Sequence, residues 1–238
     1  MKRKVLLIFL ILFTCVGTNA QKIDFSYGVL LGINSTSLFS KTGINYDYLN
    51  ENAKNIYLNT STTSSLGYSE GFFFKLQPVT NRLSLETGFL ISNYNVIHSI
   101  SLTYDHWVSY MGSWEHFEAT ELLKHEFRII NIPLTLGFDL NKNSKYKFTI
   151  LFGAVYNVSI KNDKDFITDI ERIPLYKDSY FSYQSGIMAN FNRILCKINY
   201  ERSFNIQNAP SQNKFTWEMN VKKIYYSVIS ITVGFQLN

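Results

Sequence analysis

The chain alternates. From Phe127 to Ile160 it reads FRIINIPLTLGFDL, then NKNSK, then YKFTILFGAVYNVSI. In the first run Ile130, Ile132, Leu134, Leu136 and Phe138 share one parity, with Asn131, Pro133, Thr135, Gly137 and Asp139 between them. In the second, Phe148, Ile150, Phe152, Ala154, Tyr156 and Val158 alternate with Lys147, Thr149, Gly153, Asn157 and Ser159. Period-two alternation places one set on each face of a strand. Each run reaches the roughly 9–11 residues that a membrane-crossing strand needs.

The same pattern predicts six further strands. They are Phe25–Asn34, Ser64–Leu76, Arg82–Tyr94, Tyr180–Phe191, Ile194–Phe204 and Ile224–Leu237. In the first, Phe25, Tyr27, Val29, Leu31 and Ile33 oppose a face with Ser26, Gly28, Gly32 and Asn34. An apolar face suits lipid, and a small polar face suits a narrow lumen. Glu70 interrupts the apolar face of the second strand. It implies either a bulge near Gly71 or a position above the hydrocarbon.

The connections alternate in length. Long polar segments cover 35–63, 95–125, 161–179 and 205–223, and short turns fall at 78–81, 141–145 and 192–193. Long loops on one side and short turns on the other, with an even strand count, define an outer-membrane barrel with both ends in the periplasm. The expectation is an all-β fold: an eight-stranded antiparallel transmembrane up-and-down β-barrel with short periplasmic turns and long extracellular loops. Ring positions give a separate argument. On this topology Phe25, Phe74, Phe138, Phe148, Phe191 and Phe235 fall near the periplasmic ends of the apolar face. Tyr68, Tyr156, Tyr183, Tyr200 and Tyr225 fall near its outer ends. Two aromatic girdles are expected at the two interfaces. Arg202, just above Tyr200, can snorkel to head groups.

Composition agrees. Aromatics make up 16% of the chain and charged residues 17%, against about 25% charged in an average domain. The N-terminus changes the charge argument. Met-Lys-Arg-Lys, an apolar run Val5–Phe13 and a small-residue stretch ending at Ala20 read as a secretory signal peptide over 1–20, leaving 21–238 as the barrel domain. The apolar run is too short for a spanning helix. A lipoprotein signal ending at Cys15 fits less well, because Phe13 and Thr14 stand where small residues are preferred. Without Lys2, Arg3 and Lys4 the net charge falls from +5 to +2, which gives no case for nucleic acid. Cys196 is then left alone, without an internal disulfide, and faces lipid by parity.

The motifs YGVLLGIN (Tyr27–Asn34), INIPLTLGF (Ile130–Phe138) and VISITVGFQL (Val228–Leu237) resemble the PorT-like outer-membrane β-barrel family over nearly all of the chain after residue 20. The resemblance implies an outer-membrane barrel, with some members tied to secretion and gliding machinery. The chain departs from the pattern by ending in Gln-Leu-Asn rather than on an aromatic. Its outer loops carry no family motif, so no functional residue is carried over.

Candidate chemistry is sparse. The third connection, 95–125, holds His98, His106, His116 and His125 near Asp105, Glu115, Glu118, Glu121 and Glu126. None of the spacings is that of a metal site, so no metal and no cofactor is expected. A lipid A deacylase would need a serine, a histidine and an acid at the outer rim; Ser92 or Ser99 with His98 or His125 supply the types but not a fixed geometry. The expectation is no catalytic residue. The parity-inward charges Lys75, Arg82, Glu86, Lys197 and Glu201 form a candidate lumen network, because an eight-stranded interior is just filled by side chains and buried charges must pair. Lys197 and Glu201 share a face of one strand, and Glu86 can meet a cation across the lumen. Trp107, Tyr110, Trp114 and Trp217 suit either a sticky surface for protein or glycan, or packing over the barrel mouth.

The reading is therefore a non-enzymatic outer-membrane protein of a Gram-negative-type bacterium, structural or part of a surface or secretion assembly. Its expected partners are outer-membrane lipid, lipopolysaccharide and other envelope proteins, and not nucleic acid. A lipid-modifying enzyme and a small-solute pore are the alternatives.

Overall fold

The computed structural model describes residues 23–44, 53–78, 82–108, 111–141, 146–162, 177–206 and 219–237. The expected leader, most of the short turns 78–81 and 141–145, Tyr110, Trp217 and the segments 163–176 and 207–218 lie outside them. The strands are β1 (Ile23–Ile44), β2 (Ala53–Pro78), β3 (Leu83–Val108), β4 (Ser113–Asp139), β5 (Tyr146–Asn162), β6 (Ser179–Phe191), β7 (Ile194–Ser203) and β8 (Met219–Gln236). Each pairs antiparallel with the next, and β8 returns to β1, which closes the barrel. Closure removes the unpaired edges that hydrocarbon cannot solvate.

The ladders fix the barrel's proportions. Cross-strand partners lead from Phe25 to Leu76, Leu85, Leu136, Phe152, Ser185, Tyr200 and Ile229, and return to β1 at Ser35. The path has climbed ten residues of β1, which is the shear. Eight strands about 4.8 Å apart with that stagger tilt by about 41° and leave about 16 Å between facing backbones. Every residue on the path points outward. The inward path one residue on runs Ser26, Lys75, Glu86, Thr135, Gly153, Gln184, Glu201, Val228 and Thr36.

Burial is inverted relative to a soluble domain. Outward Leu31 and Phe152 are each 63% exposed, whereas inward Asn157 and Ser182 are fully buried. The outward belt is continuous: Phe25, Phe74, Phe138, Phe148, Phe191 and Phe235 ring its lower part, and Tyr68, Tyr156, Tyr183 and Tyr200 its upper part, all exposed. Phe25 stacks on Phe74 at 6.4 Å. An apolar belt of this kind on a closed barrel is a lipid-facing surface.

The interior is packed by alternating large and absent side chains. Phe73 lies between Gly28 and Gly88 on the adjacent strands, Leu151 between Gly137 and Gly186, and Gly234 between Leu195 and Leu30. A methyl group on Gly234 would meet Leu30 Cδ2 at 2.6 Å and Leu195 Cδ1 at 2.7 Å. A lumen this narrow has no room for two large residues side by side.

One local expectation is refined. The Gly71 region carries no bulge: the β1–β2 and β2–β3 ladders run unbroken through it, and Glu70 stays outward beside Leu31 and Ile91. The bulge in this part of β2 lies between Ser64 and Tyr68. At Pro133 the β3–β4 ladder skips from Thr87–Leu134 to Leu90–Asn131. Proline has no N–H to donate, and the Thr87 hydroxyl donates to the Pro133 carbonyl instead at 2.8 Å. Asn192, at φ 60°, forms the tight turn expected at 192–193.

The larger correction concerns the connections. Much of 35–63 and 95–125 is strand, not loop: β1 continues to Ile44, β2 begins at Ala53, and β3 and β4 pair from Leu90–Asn131 up to Val108–Ser113. Above the membrane the outward face no longer has to be apolar. On β3 the alternation continues with its apolar set, Val96, Ile100, Leu102, Tyr104 and Val108, on the inward parity, so an apolar outward face marks only the part of the strand inside lipid.

Candidate functional site

The lumen is filled in layers. At the periplasmic end Asp139 accepts hydrogen bonds from Gln77 at 2.5 Å and Thr149 at 2.7 Å, all three buried. Next, the Lys197 ammonium pairs with the Glu86 carboxylate across the lumen and sits 5.2 Å from the centre of the Phe73 ring. Strands β3 and β7 are four apart in a ring of eight, so these side chains meet from opposite walls. Lys75 is buried directly opposite Glu86 in the β2–β3 ladder. An apolar layer of Leu30, Phe73, Leu151, Met188 and Leu195 packs at this level.

A small chamber of about 60 Å³ follows, lined by Asn34, Glu86, Thr135, Gln184, Lys197, Glu201 and Thr232 among others. It has room for a few waters, not for a solute stream. Gln184 reaches Thr135 over side-chain-free Gly153. Above the chamber Glu201 accepts from Ser182 at 2.5 Å, Tyr226 at 2.7 Å and Asn157 at 3.2 Å. Asn131 donates to Asn157 at 2.7 Å. The outer mouth is closed by Tyr94, Val96, Phe127, Ile129, Tyr180, Ile206, Ile224, Tyr226 and Val228, packed as one apolar plug.

Of the five charges expected to meet inside, Lys75, Glu86, Lys197 and Glu201 are buried in the lumen. Arg82 is not. It lies exposed in a bend before β3, where its carbonyl accepts from Asp139 N at 2.8 Å. Parity carries no information beyond a strand's end. Lys197 pairs with Glu86 rather than with Glu201, and Glu201 is held by neutral donors. The residues that complete the interior, Tyr94, Asn131, Asp139, Asn157, Ser182 and Tyr226, share the inward parity. That parity is the signal by which the sequence marks them.

The second region is the sheet of β2, β3 and β4 above the rim. Its β3–β4 tip turns at Met111–Gly112, with both N–H groups donating to the Val108 carbonyl at 3.1 and 2.9 Å. Asp105 faces His116 across β3 and β4, accepting from it at 2.7 Å and from Asn55 at 2.9 Å. These hydrogen bonds, Asn55 first and then His116, hold the Asp105 carboxyl below its ordinary range. His106 pairs with Glu115 on the other face of the hairpin. The side chains of His98 and His125 lie outside the description. Among the described residues no three His, Cys, Asp or Glu side chains group as metal ligands. Ser92 is buried inside the lumen, one residue from Asn93, which pairs with Tyr68 of the upper girdle. Cys196 is free and half-exposed on the outward parity. Trp107 and Trp114 meet edge to face at 5.6 Å.

The fold and belt define an outer-membrane-type β-barrel with a plugged interior. No family model matches the chain, and no curated protein matches it. Among solved structures it is similar to Ail, the attachment invasion locus protein of Yersinia pestis, crystallised with the heparin analogue sucrose octasulfate. The two are 11% identical over 90% of this chain and 99% of that one, with a TM-score of 0.41. It is similar to the outer membrane protein OprG of Pseudomonas aeruginosa at 12% identity, 89% and 96% coverage and a TM-score of 0.40. It is also similar to the outer membrane protease OmpT of Escherichia coli at 10% identity, 90% and 96% coverage and a TM-score of 0.33.

Proposed function

We propose that this protein is a non-enzymatic, non-conducting outer-membrane barrel of a Gram-negative-type bacterium. It holds a three-stranded sheet clear of the lipid, as a structural protein or as a component of a surface or secretion assembly. The observation that carries this reading is the filled lumen: an apolar plug over a hydrogen-bonded carboxylate over a buried ion pair, under strands that continue beyond the rim. A pore needs the reverse, an open polar interior. The PorT-like strand motifs support the assembly reading. Export through the leader 1–20 belongs to the same proposal, as do lipopolysaccharide and other envelope proteins as partners, with no nucleic acid.

Three measurements test it. Purified barrel in planar bilayers gives no unitary conductance; steady channels overturn the plug. Affinity purification from crosslinked outer membranes recovers a stoichiometric envelope partner for an assembly component. Altered lipid A acylation on expression of the intact protein overturns the non-enzymatic reading.

A further inference from the structure

Above the tyrosine girdle the outward face of the wall changes chemistry. On β3 the outward residues within lipid are Leu85, Thr87, Phe89 and Ile91, and those above it are Ser101, Thr103, Asp105 and Trp107. Opposite them on β4 stand Thr120, Glu118, His116 and Trp114. On the other side β2 adds Asn59 opposite Ser101 and Tyr57 opposite Thr103, and Asn55 binds Asp105. Trp107, Trp114 and Tyr57 are exposed at 37%, 42% and 68%. They bracket the amide, carboxylate and imidazole of Asn55, Asp105 and His116. This surface is continuous with the lipid-facing belt, because no register shift interrupts β3 and β4 between Leu90–Asn131 and Val108–Ser113.

From this continuity we infer that the outward face of the β2–β3–β4 sheet binds neutral or amino sugars of the lipopolysaccharide around the barrel. The inference rests on the proposed outer-membrane location. Three physical arguments select that occupant. The first is height. Tyr68, in the upper girdle, pairs with Asn93, and Trp107 stands fourteen residues further along β3. At the barrel's tilt that is roughly 35 Å above the girdle, and the face looks sideways into the layer that outer-leaflet sugars fill. The second is chemistry. Exposed indole and phenol rings offer flat apolar faces to the C–H faces of sugar rings. Asp105 uses one acceptor position on each oxygen for His116 and Asn55 and keeps capacity for hydroxyl donors. Asp105 and Glu118 repel phosphate, which disfavours the phosphate-dense inner region and favours neutral or cationic sugars. The third is size. From Ser101 to Trp107 the patch spans three strands and six residue steps, about 10 by 20 Å. That footprint fits a short oligosaccharide and falls far short of the roughly 800 Å² per partner that a stable protein interface buries.

The test uses the full barrel in phospholipid nanodiscs. The probe is oligosaccharide released by mild acid from the host strain's own lipopolysaccharide. Calorimetry is expected to show saturable binding, weakened tenfold or more by Trp107→Ala with Trp114→Ala, and several-fold by Asp105→Asn. Glu115→Gln, on the opposite face, leaves it unchanged. Saturation-transfer NMR is expected to pass magnetisation from ring protons to the sugar in the wild type only. Heat-modifiable migration on gels confirms that each variant is folded. No saturable binding overturns the inference, as does equal affinity in the double tryptophan variant, equal weakening by Glu115→Gln, or a response to lipid A vesicles alone. A stoichiometric protein partner captured through this sheet, with the oligosaccharide silent, overturns the sugar site and leaves the proposed function standing. Conductance or a soluble location would overturn that function itself.

Discussion

Replacing Lys197 by methionine removes the ammonium that faces Glu86 across the lumen and leaves the chain length nearly unchanged. Both groups are buried, at 3% and 8% side-chain exposure. Breaking one side of a buried pair typically costs about 3–5 kcal/mol, because the remaining charge is left desolvated. Two features adjust that figure here. The contact of Lys197 with the Phe73 ring is lost as well, adding about 0.5–1 kcal/mol. Against this, Lys75 stands opposite Glu86, and the chamber of about 60 Å³ touches Glu86 and can bring it water. The expected net loss is about 3 kcal/mol. Glu86→Gln alone should cost a similar amount. Lys197→Met combined with Glu86→Gln should recover most of it, giving a coupling energy of about 2 kcal/mol or more in a double-mutant cycle. Urea unfolding of the barrel in lipid vesicles, followed by tryptophan fluorescence and by heat-modifiable migration, measures all four variants. Single variants within about 0.5 kcal/mol of wild type, with additive effects, would refute the claim that the pair is desolvated.

Other outcomes follow from the same packing. Gly234→Ala places a methyl against Leu30 and Leu195 and should destabilise by about 1–3 kcal/mol in the urea assay; an alanine at outward Ser185 should be neutral. Glu201→Ala strands Ser182, Tyr226 and Asn157 and should cost about 1–3 kcal/mol. Glu201→Gln keeps an acceptor for neutral donors and should cost less; equal losses in the same unfolding assay would deny the hydrogen-bond account. At the outer sheet, the Asp105 carboxyl is held below its ordinary range by Asn55 and His116. Its contribution is therefore complete above about pH 4 and is lost as pH falls through the lowered value. Protection factors of the β3–β4 amides above the rim, corrected for the intrinsic exchange rate at each pH, should fall on acidification below about pH 4, and Asp105→Asn should flatten that dependence.

Parity read from the residues carried far inside the membrane. The strand count, the antiparallel order, the lipid-facing set and both aromatic rings follow from period-two alternation and from loops sorted by length. The inward parity of Asn131, Asn157, Lys197 and Glu201 could be counted off in the same way. It failed where alternation stops. Arg82 keeps its parity but lies in a bend before the strand begins, so its side chain meets water. The stretch 95–108 keeps an apolar set, Val96, Ile100, Leu102, Tyr104 and Val108, but on the inward parity, and its polar outward residues, like those of 53–63, read as loop.

What the sequence determined by itself is the choice between faces, because each strand in lipid has one side that must be apolar and that requirement is written residue by residue. What only the tertiary structure decided is who meets whom. Glu86 and Lys197 are 111 positions apart and meet because a shear of ten turns eight strands into a tube about 16 Å across, narrow enough for side chains from opposite walls to touch. Lys197 and Glu201 are four apart on one strand, about 13 Å, and do not pair. Likewise Trp107, Asp105 and Asn55 become one surface only when the β2–β3–β4 ladder continues above the rim. Register is a property of closure, and no single strand carries it.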